Sequence, residues 1–288
     1  MIVPPSRPLH LIPKNPTPIT PMSTLLLRSL ALLCCLSGLT LAQDWAKPRL
    51  AKSPRHLEWV TVRHGNREVR CWVAYPEVKD KATAVVIIHE IFGLTDWVRG
   101  VADQLAEAGY IAIAPDLLSG TGPNGGGTDS LGGPDGARSK IGSLPPDQIT
   151  ADLKATFQYV QKLPACNGKV AVGGFCWGGS QTFRFVGNQP EVKAGFVFYG
   201  SGSEDERELT RIQSPVYGFY GGNDARVNAT IPKSEALMKK TGKTYEPVVY
   251  EGAGHGFMRA GEDPAGSPEN KKAREAGWQR LRQILKAL

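Results

Sequence analysis

The chain has 288 residues, 41% of them hydrophobic, which is enough for one large α/β core and excludes an intrinsically disordered protein. Its formal charge of +7 is partly N-terminal: residues 1–42 hold Arg7, Lys14 and Arg28 and no acid, so 34 basic residues less these three leave 31 against 27 acidic ones. No dense Lys/Arg block or basic-aromatic pattern points to nucleic acid. Neither a Cys-x-x-Cys pair nor a His-x-x-x-His cluster offers a zinc site.

Residues 1–21 carry seven prolines and no apolar period. They read as a disordered segment or as sequence upstream of a true start at Met22. From Met22 the chain runs through Arg28 into the nearly wholly apolar stretch Ser29–Leu41, and Thr40-Leu41-Ala42 places small residues where a signal peptidase reads them. Residues 22–42 therefore read as a secretory signal cleaved after Ala42, with Gln43 as the mature N-terminus. The apolar run is too short for a comfortable membrane span. The expectation is a secreted or periplasmic monomer with no stable membrane insertion. An intact Met1 or Met22 on exported protein would refute it. Residues 43–56 read as a linker and 57–288 as one domain.

Leu57–Val62 and Glu68–Tyr75 alternate apolar and polar residues around His64-Gly65-Asn66 and predict a hairpin. Thr83–His89 predicts a central parallel strand. Trp97–Gly109 has helical spacing, with Val98, Val101, Leu105 and Ala108 on one face. Tyr110–Ala114 predicts the next strand. Ser119–Leu144 is rich in glycine and has no period, so it reads as a long functional or mobile loop. Pro145 and Pro146 open a helix predicted to reach Leu163. Further strands are predicted near Val170–Val172, Ala194–Tyr199, Val216–Tyr220 and Tyr245–Tyr250. Helices are predicted from about Gly179, over Ser234–Lys240 and over Pro268–Leu288. Strands alternating with helices imply α/β architecture, a mostly parallel central sheet covered by helices on both faces.

Gly174-Phe-Cys176-Trp-Gly178 has the pattern of the nucleophile elbow of an α/β-hydrolase, with a thiol at the apex. The apex must take a strained backbone conformation, so the residues two places away must lack side chains if strand and helix are to approach closely. The helix N-terminus behind Cys176 favours an anion. A small buried hydrophobe is the alternative reading of Cys176. Asp224, after Gly-Gly-Asn, also reads as a turn residue, and His255, between Gly254 and Gly256, as a loop residue. Yet Cys176, Asp224 and His255 each follow a predicted strand, at the edge where open parallel sheets bind ligands. They also come in the order nucleophile, acid, histidine of α/β-hydrolases. In such a triad His255 takes the thiol proton and Asp224 orients the imidazole. Glu90 ends up at the same edge. Ile91 and Trp177 fall where hydrolases of this fold supply oxyanion-hole N–H groups. Of the remaining cysteines, Cys71 and Cys166 can pair or stay free; their spacing does not decide.

Gly-Phe-Cys176-Trp-Gly-Gly, His89-Glu90-Ile91-Phe92-Gly93, Asp224 and Gly254-His255-Gly-Phe together resemble the dienelactone hydrolase (carboxymethylenebutenolidase) family over roughly residues 57–288. The resemblance implies an α/β-hydrolase sheet of about eight strands, a Cys-Asp-His triad without cofactor, and a thiol kept neutral at rest by Glu90. Substrate would displace that carboxylate, which then takes the thiol proton. Arg259 matches the position that pairs with a substrate carboxylate. The family's second such arginine falls in the Gly-rich region, where Arg138 and Lys140 are the candidates. The expected function is hydrolysis of a small ester or lactone, possibly one bearing a carboxylate, by a carboxylic ester hydrolase. The alternatives are a broader extracellular carboxylesterase and a non-hydrolytic thiol or binding protein on the same fold.

Overall fold

The computed structural model describes Met1, residues 44–203 and residues 205–288. The segment 1–21, the signal read in 22–42 and its cleavage site lie outside them, Met1 apart. The chain divides into two units, Met1–Ala42 and Gln43–Leu288, and the second carries everything that follows.

Eight strands form one sheet: Leu57–His64 (β1), Arg67–Ala74 (β2), Ala82–Ile88 (β3), Ile111–Pro115 (β4), Cys166–Phe175 (β5), Gly195–Phe198 (β6), Val216–Gly221 (β7) and Tyr245–Tyr250 (β8). Their spatial order is β1-β2-β4-β3-β5-β6-β7-β8. The β1–β2 and β2–β4 pairs are antiparallel and every other pair is parallel. The helices are Lys47–Lys52 (α1), Asp96–Glu107 (α2), Pro134–Ile141 (α3), Pro146–Gln161 (α4), Trp177–Val186 (α5), Glu206–Thr210 (α6), Ala225–Asn228 (α7), Ile231–Lys240 (α8), Phe257–Ala260 (α9) and Pro268–Lys286 (α10).

The sheet separates two apolar layers, and β3 shows how. Its residues are buried throughout, and successive side chains of a strand point to opposite faces. Ala84, Val86 and Ile88 join the layer that includes Leu153, Phe157 and Val160 of α4. Val85 and Ile87 join the layer formed with α2 and with Leu281 and Leu285 of α10. On α4 the buried positions are Ile149, Asp152, Leu153, Thr156, Phe157 and Val160, the i, i+3, i+4 stripe of a helix covering a core. Each fully buried aliphatic or aromatic side chain contributes about 1.5–3 kcal/mol.

Two sequence readings change, and a third, left open, is decided. Residues 44–52, read as part of a linker, are helical. Ala46 is buried, and Arg49 and Arg55 both bind Asp103 of α2. That cover explains why α2 is buried on more sides than its apolar face alone predicts. Burial would raise the Asp103 pKa, but hydrogen bonds from Arg55 and Ser53 more than offset it and the pKa is lowered. Second, the Ser119–Leu144 stretch holds two short 3-10 turns and the two-turn helix α3. Eight residues with two buried positions, Ala137 and Ile141, are too few to show a period. Asp116 anchors this stretch, accepting from the Thr128 N–H at 2.8 Å and its hydroxyl at 2.7 Å, and Thr128 Oγ1 accepts from the Leu94 N–H at 2.9 Å. Third, Cys71 and Cys166 are both free and buried. Burial pushes the Cys71 thiol up to about 12.

Candidate active site

The parallel strands end at one edge, and five side chains of interest follow them: Glu90 after β3, Cys176 after β5, Tyr199 after β6, Asp224 after β7 and His255 after β8. Pairing fixes this alignment. Ile88 lies opposite Gly174, Phe175 opposite Phe198, and Gly221 opposite Tyr250.

Cys176 takes φ 56° and ψ −118°, in the left-handed half of backbone space that non-glycine residues enter only under constraint. The constraint is close packing around it. A Cβ on Gly174 would lie 2.1 Å from the Gly178 carbonyl oxygen, and one on Gly178 would lie 2.3 Å from that of Ile88. No side chain fits either gap, so glycine is required on both sides of the apex. The Cys176 N–H donates to Phe198 O at 2.9 Å, and α5 starts at the next residue. Trp177 therefore opens a helix, and its N–H has no intrahelical acceptor.

The Cys176 sulfur lies 3.2 Å from His255 Nε2, and His255 Nδ1 lies 2.5 Å from Asp224 Oδ2. Asp224 is buried and also caps α7, accepting from the Val227 N–H at 3.4 Å. Its two sequence readings, turn residue and partner of the histidine, are both realised. The hydrogen bond to Cys176 raises the His255 pKa; burial opposes it, and Asp224 adds to it, so that the pKa rises from 6.5 to about 9. The protonated imidazole is thus favoured near neutrality.

Glu90 is 2% exposed, and its Oε2 accepts from Arg259 Nε at 2.8 Å. At rest, then, the sulfur faces the imidazole and Glu90 faces Arg259, rather than Glu90 contacting the thiol as the resemblance implied. Burial would lower the Arg259 pKa, but the carboxylate outweighs it and raises it. The Arg259 guanidinium carbon lies 5.5 Å from the centre of the Phe92 ring, and that of Arg138, from α3, lies 5.6 Å from the same centre. Two cations thus share one ring, at a distance where its π-face attracts them. Lys140 is exposed on α3.

The turn carrying Ile91 is held by His89, which is wholly buried. Its Nδ1 donates to Glu90 O at 2.8 Å, and its Nε2 accepts from the Leu117 N–H at 3.3 Å. These partners require the neutral ring, and burial lowers its pKa. The ring also stacks on Trp177 at 5.6 Å. Tyr199 is the neighbour that sequence reasoning did not single out. It packs edge-on against the His255 ring at 5.2 Å. The only available signal was its position at a strand end on the shared edge.

The fold and this edge define an α/β-hydrolase: eight strands, a sharp strand-to-helix elbow at Cys176, and a histidine backed by a carboxylate. The dienelactone hydrolase family model matches residues 69–288, and the chain belongs to that family. It is 32% identical over 209 residues to the protein named "Putative carboxymethylenebutenolidase" in Methylorubrum extorquens, an alignment spanning 68% of this chain and 69% of that one. A protein of the same name in Salmonella typhimurium is 29% identical over 229 residues, covering 74% and 81%. The crystal structure of a "Putative Dienelactone Hydrolase" from Klebsiella pneumoniae superimposes with a TM-score of 0.71 at 23% identity, covering 81% of this chain and 99% of that one. This last likeness bears on the fold alone.

Proposed function

We propose that the protein is a carboxylic ester hydrolase that cleaves small esters or lactones with Cys176 as nucleophile, His255 as acid–base and Asp224 as its orienting carboxylate. The observation that carries this reading is the unbroken hydrogen-bonded chain Cys176–His255–Asp224 at the carboxyl edge of the sheet. The thiolate attacks the ester carbonyl, and the developing oxyanion rests on the Ile91 and Trp177 N–H groups. The imidazolium gives its proton to the departing oxygen, leaving a thioester on Cys176. Water then attacks that thioester and gives its proton to His255. The acid departs and the sulfur is regenerated. No step calls for a cofactor. An exported location rests on the leader sequence alone.

A panel of esters and lactones, read against stoichiometric alkylation, tests the assignment. Among the described residues Cys71 and Cys166 are buried and Cys176 is not, so a soft alkylating agent should label Cys176 first. Turnover should fall in step with that labelling. Full labelling of Cys176 with turnover intact would refute the nucleophile.

The imidazolium sets an upper pH limit. Because the folded pKa is raised, the stabilisation from the charged pair is complete below the unfolded pKa of 6.5 and is lost as pH rises through about 9. We expect kcat/KM to decline along a basic limb centred near that pH. A profile flat to pH values well above it would argue against an ion-paired nucleophile.

Arg259 and Arg138 support a substrate bearing a carboxylate, since both guanidiniums face Phe92 beside the site. Arg259→Met is expected to lower kcat/KM for a carboxylate-bearing ester by about 10–100-fold, the loss of a charge-assisted hydrogen bond. A neutral ester of the same alcohol should lose far less. Equal losses on the two substrates would favour the broader carboxylesterase reading.

A further inference from the structure

The two amides of the oxyanion hole stand on separate elements, Ile91 after β3 and Trp177 at the start of α5. One buried ring bears on both. His89 directly follows β3 and is 0% exposed. The Leu117 N–H approaches its Nε2 at 3.3 Å and can only donate, so Nε2 is the bare nitrogen and Nδ1 carries the proton. That proton goes to Glu90 O at 2.8 Å. The ring itself stacks on the Trp177 indole, with centres 5.6 Å apart and planes 21° apart.

Glu90 O belongs to the same peptide group as the Ile91 N–H. A peptide is planar and trans, so its C=O and N–H point in opposite directions. Wherever the oxygen is held, the N–H is aimed the other way. Two donors hold it, His89 Nδ1 at 2.8 Å and the Gly93 N–H at 3.1 Å. The Ile91 N–H has no acceptor among the described residues. A hydrogen bond at the oxygen also polarises the peptide and strengthens its N–H as a donor. The backbone is fitted as closely on the other side: a Cβ on Gly178 would lie 2.4 Å from His89 O. The start of α5 therefore packs directly on the strand end that carries the imidazole. Filling the core asks for none of this, since an apolar side chain does so without burying two polar nitrogens.

We propose that His89 is a positioning residue for the oxyanion hole: its hydrogen bond aims the Ile91 N–H and its stacked ring braces Trp177, so both donors are set before an ester arrives. It touches no reacting atom. It supplies preorganisation, in the form of donors that need no realignment when charge develops on the oxygen. The inference rests on the hydrolase reading, with Ile91 and Trp177 as the donors.

The test compares His89→Asn with His89→Leu, two side chains of nearly the same shape. The Asn amide nitrogen takes the place of Nδ1 and can donate to Glu90 O; Leu cannot. Neither has the ring, so the stack and the Nε2 acceptor are lost in both. For para-nitrophenyl acetate, kcat/KM should be about 10–100-fold lower in His89→Leu than in His89→Asn, somewhat less than removing an oxyanion donor outright. Alkylation of Cys176 by iodoacetamide displaces iodide at a saturated carbon and builds no oxyanion. Its rate should stay close to that of the wild type in both variants. Equal kcat/KM in the two, or losses in alkylation that match those in turnover, would overturn the proposal. Should His89→Leu fail to fold, His89→Phe keeps a stacked ring and removes both hydrogen bonds, and the same two rates decide. A further readout needs no turnover. The 15N resonance of Ile91 senses the hydrogen bond to the carbonyl of its own peptide. It should move in the variant without a donor and stay nearer the wild-type position in His89→Asn; the same position in both refutes the aiming of that peptide. Turnover persisting in Cys176→Ala would instead strike at the hydrolase reading, with the Ile91 resonance still deciding the role of His89.

Discussion

Cys176→Ala should reduce ester turnover by roughly four to six orders of magnitude, the scale seen when the nucleophile of a hydrolytic triad is removed. The residual rate would come from the Ile91 and Trp177 amides and from binding alone. The substitution is small and lies on a half-buried side chain, so the elbow itself should persist. The same variant makes a second prediction that does not depend on substrate. The largest cause raising the His255 pKa is its hydrogen bond to Cys176. Without the sulfur, the imidazole should titrate well below its value of about 9 in the parent protein. Proton NMR of His255 in both proteins measures this. Turnover near the parent rate, or an unmoved His255 titration, would detach the sulfur from the imidazole.

Asp152→Ala should be the most destabilising single change outside the site, costing about 3–5 kcal/mol, because it strands a cation at a buried pairing site. The Asp152 side chain is 0% exposed and accepts from His64 Nε2 at 2.6 Å and from Arg67 Nε at 2.8 Å. Arg67 also donates to Ser119 O at 2.9 Å and Leu117 O at 3.3 Å. One carboxylate therefore ties the β1–β2 hairpin to α4 and, through Arg67, to the turn that follows β4. For a domain of this size the loss corresponds to a melting temperature lower by roughly 10 °C. Arg63→Ala is the contrasting case. Its bond to Glu68 joins side chains that are 68% and 63% exposed, and such surface pairs contribute about 0–1 kcal/mol. Similar melting temperatures for the two variants would show that the buried network carries no special weight.

The catalytic candidates were legible because each is tied to a local rule. The elbow is written in glycines at 174 and 178, whose missing side chains make room for carbonyl oxygens. Asp224 and His255 follow apolar strands whose ends a parallel sheet brings to one edge. Arg138 was nameable only as one of two cations in a glycine-rich stretch. What sets it near Phe92 is α3, a helix too short to declare itself, in a stretch anchored by Asp116 and Thr128. The segment 44–52 was misread for a similar reason. Its contribution lies in Arg49 reaching a carboxylate on another helix, and composition carries no trace of that partner.

The sequence by itself determined the layered α/β architecture, the elbow and the chain order of sulfur, carboxylate and imidazole. These follow from periodicity, from glycine sterics and from residues adjacent to predicted strand ends. The tertiary structure alone decided which groups touch. It places the sulfur on His255 and Glu90 on Arg259, leaves Cys71 and Cys166 free, and seats Tyr199 edge-on against the His255 ring. The physical reason is range. A strand or a turn is set by neighbours a few residues apart, whereas a hydrogen bond between residues 79 or 169 positions apart exists only once the whole sheet has aligned its ends.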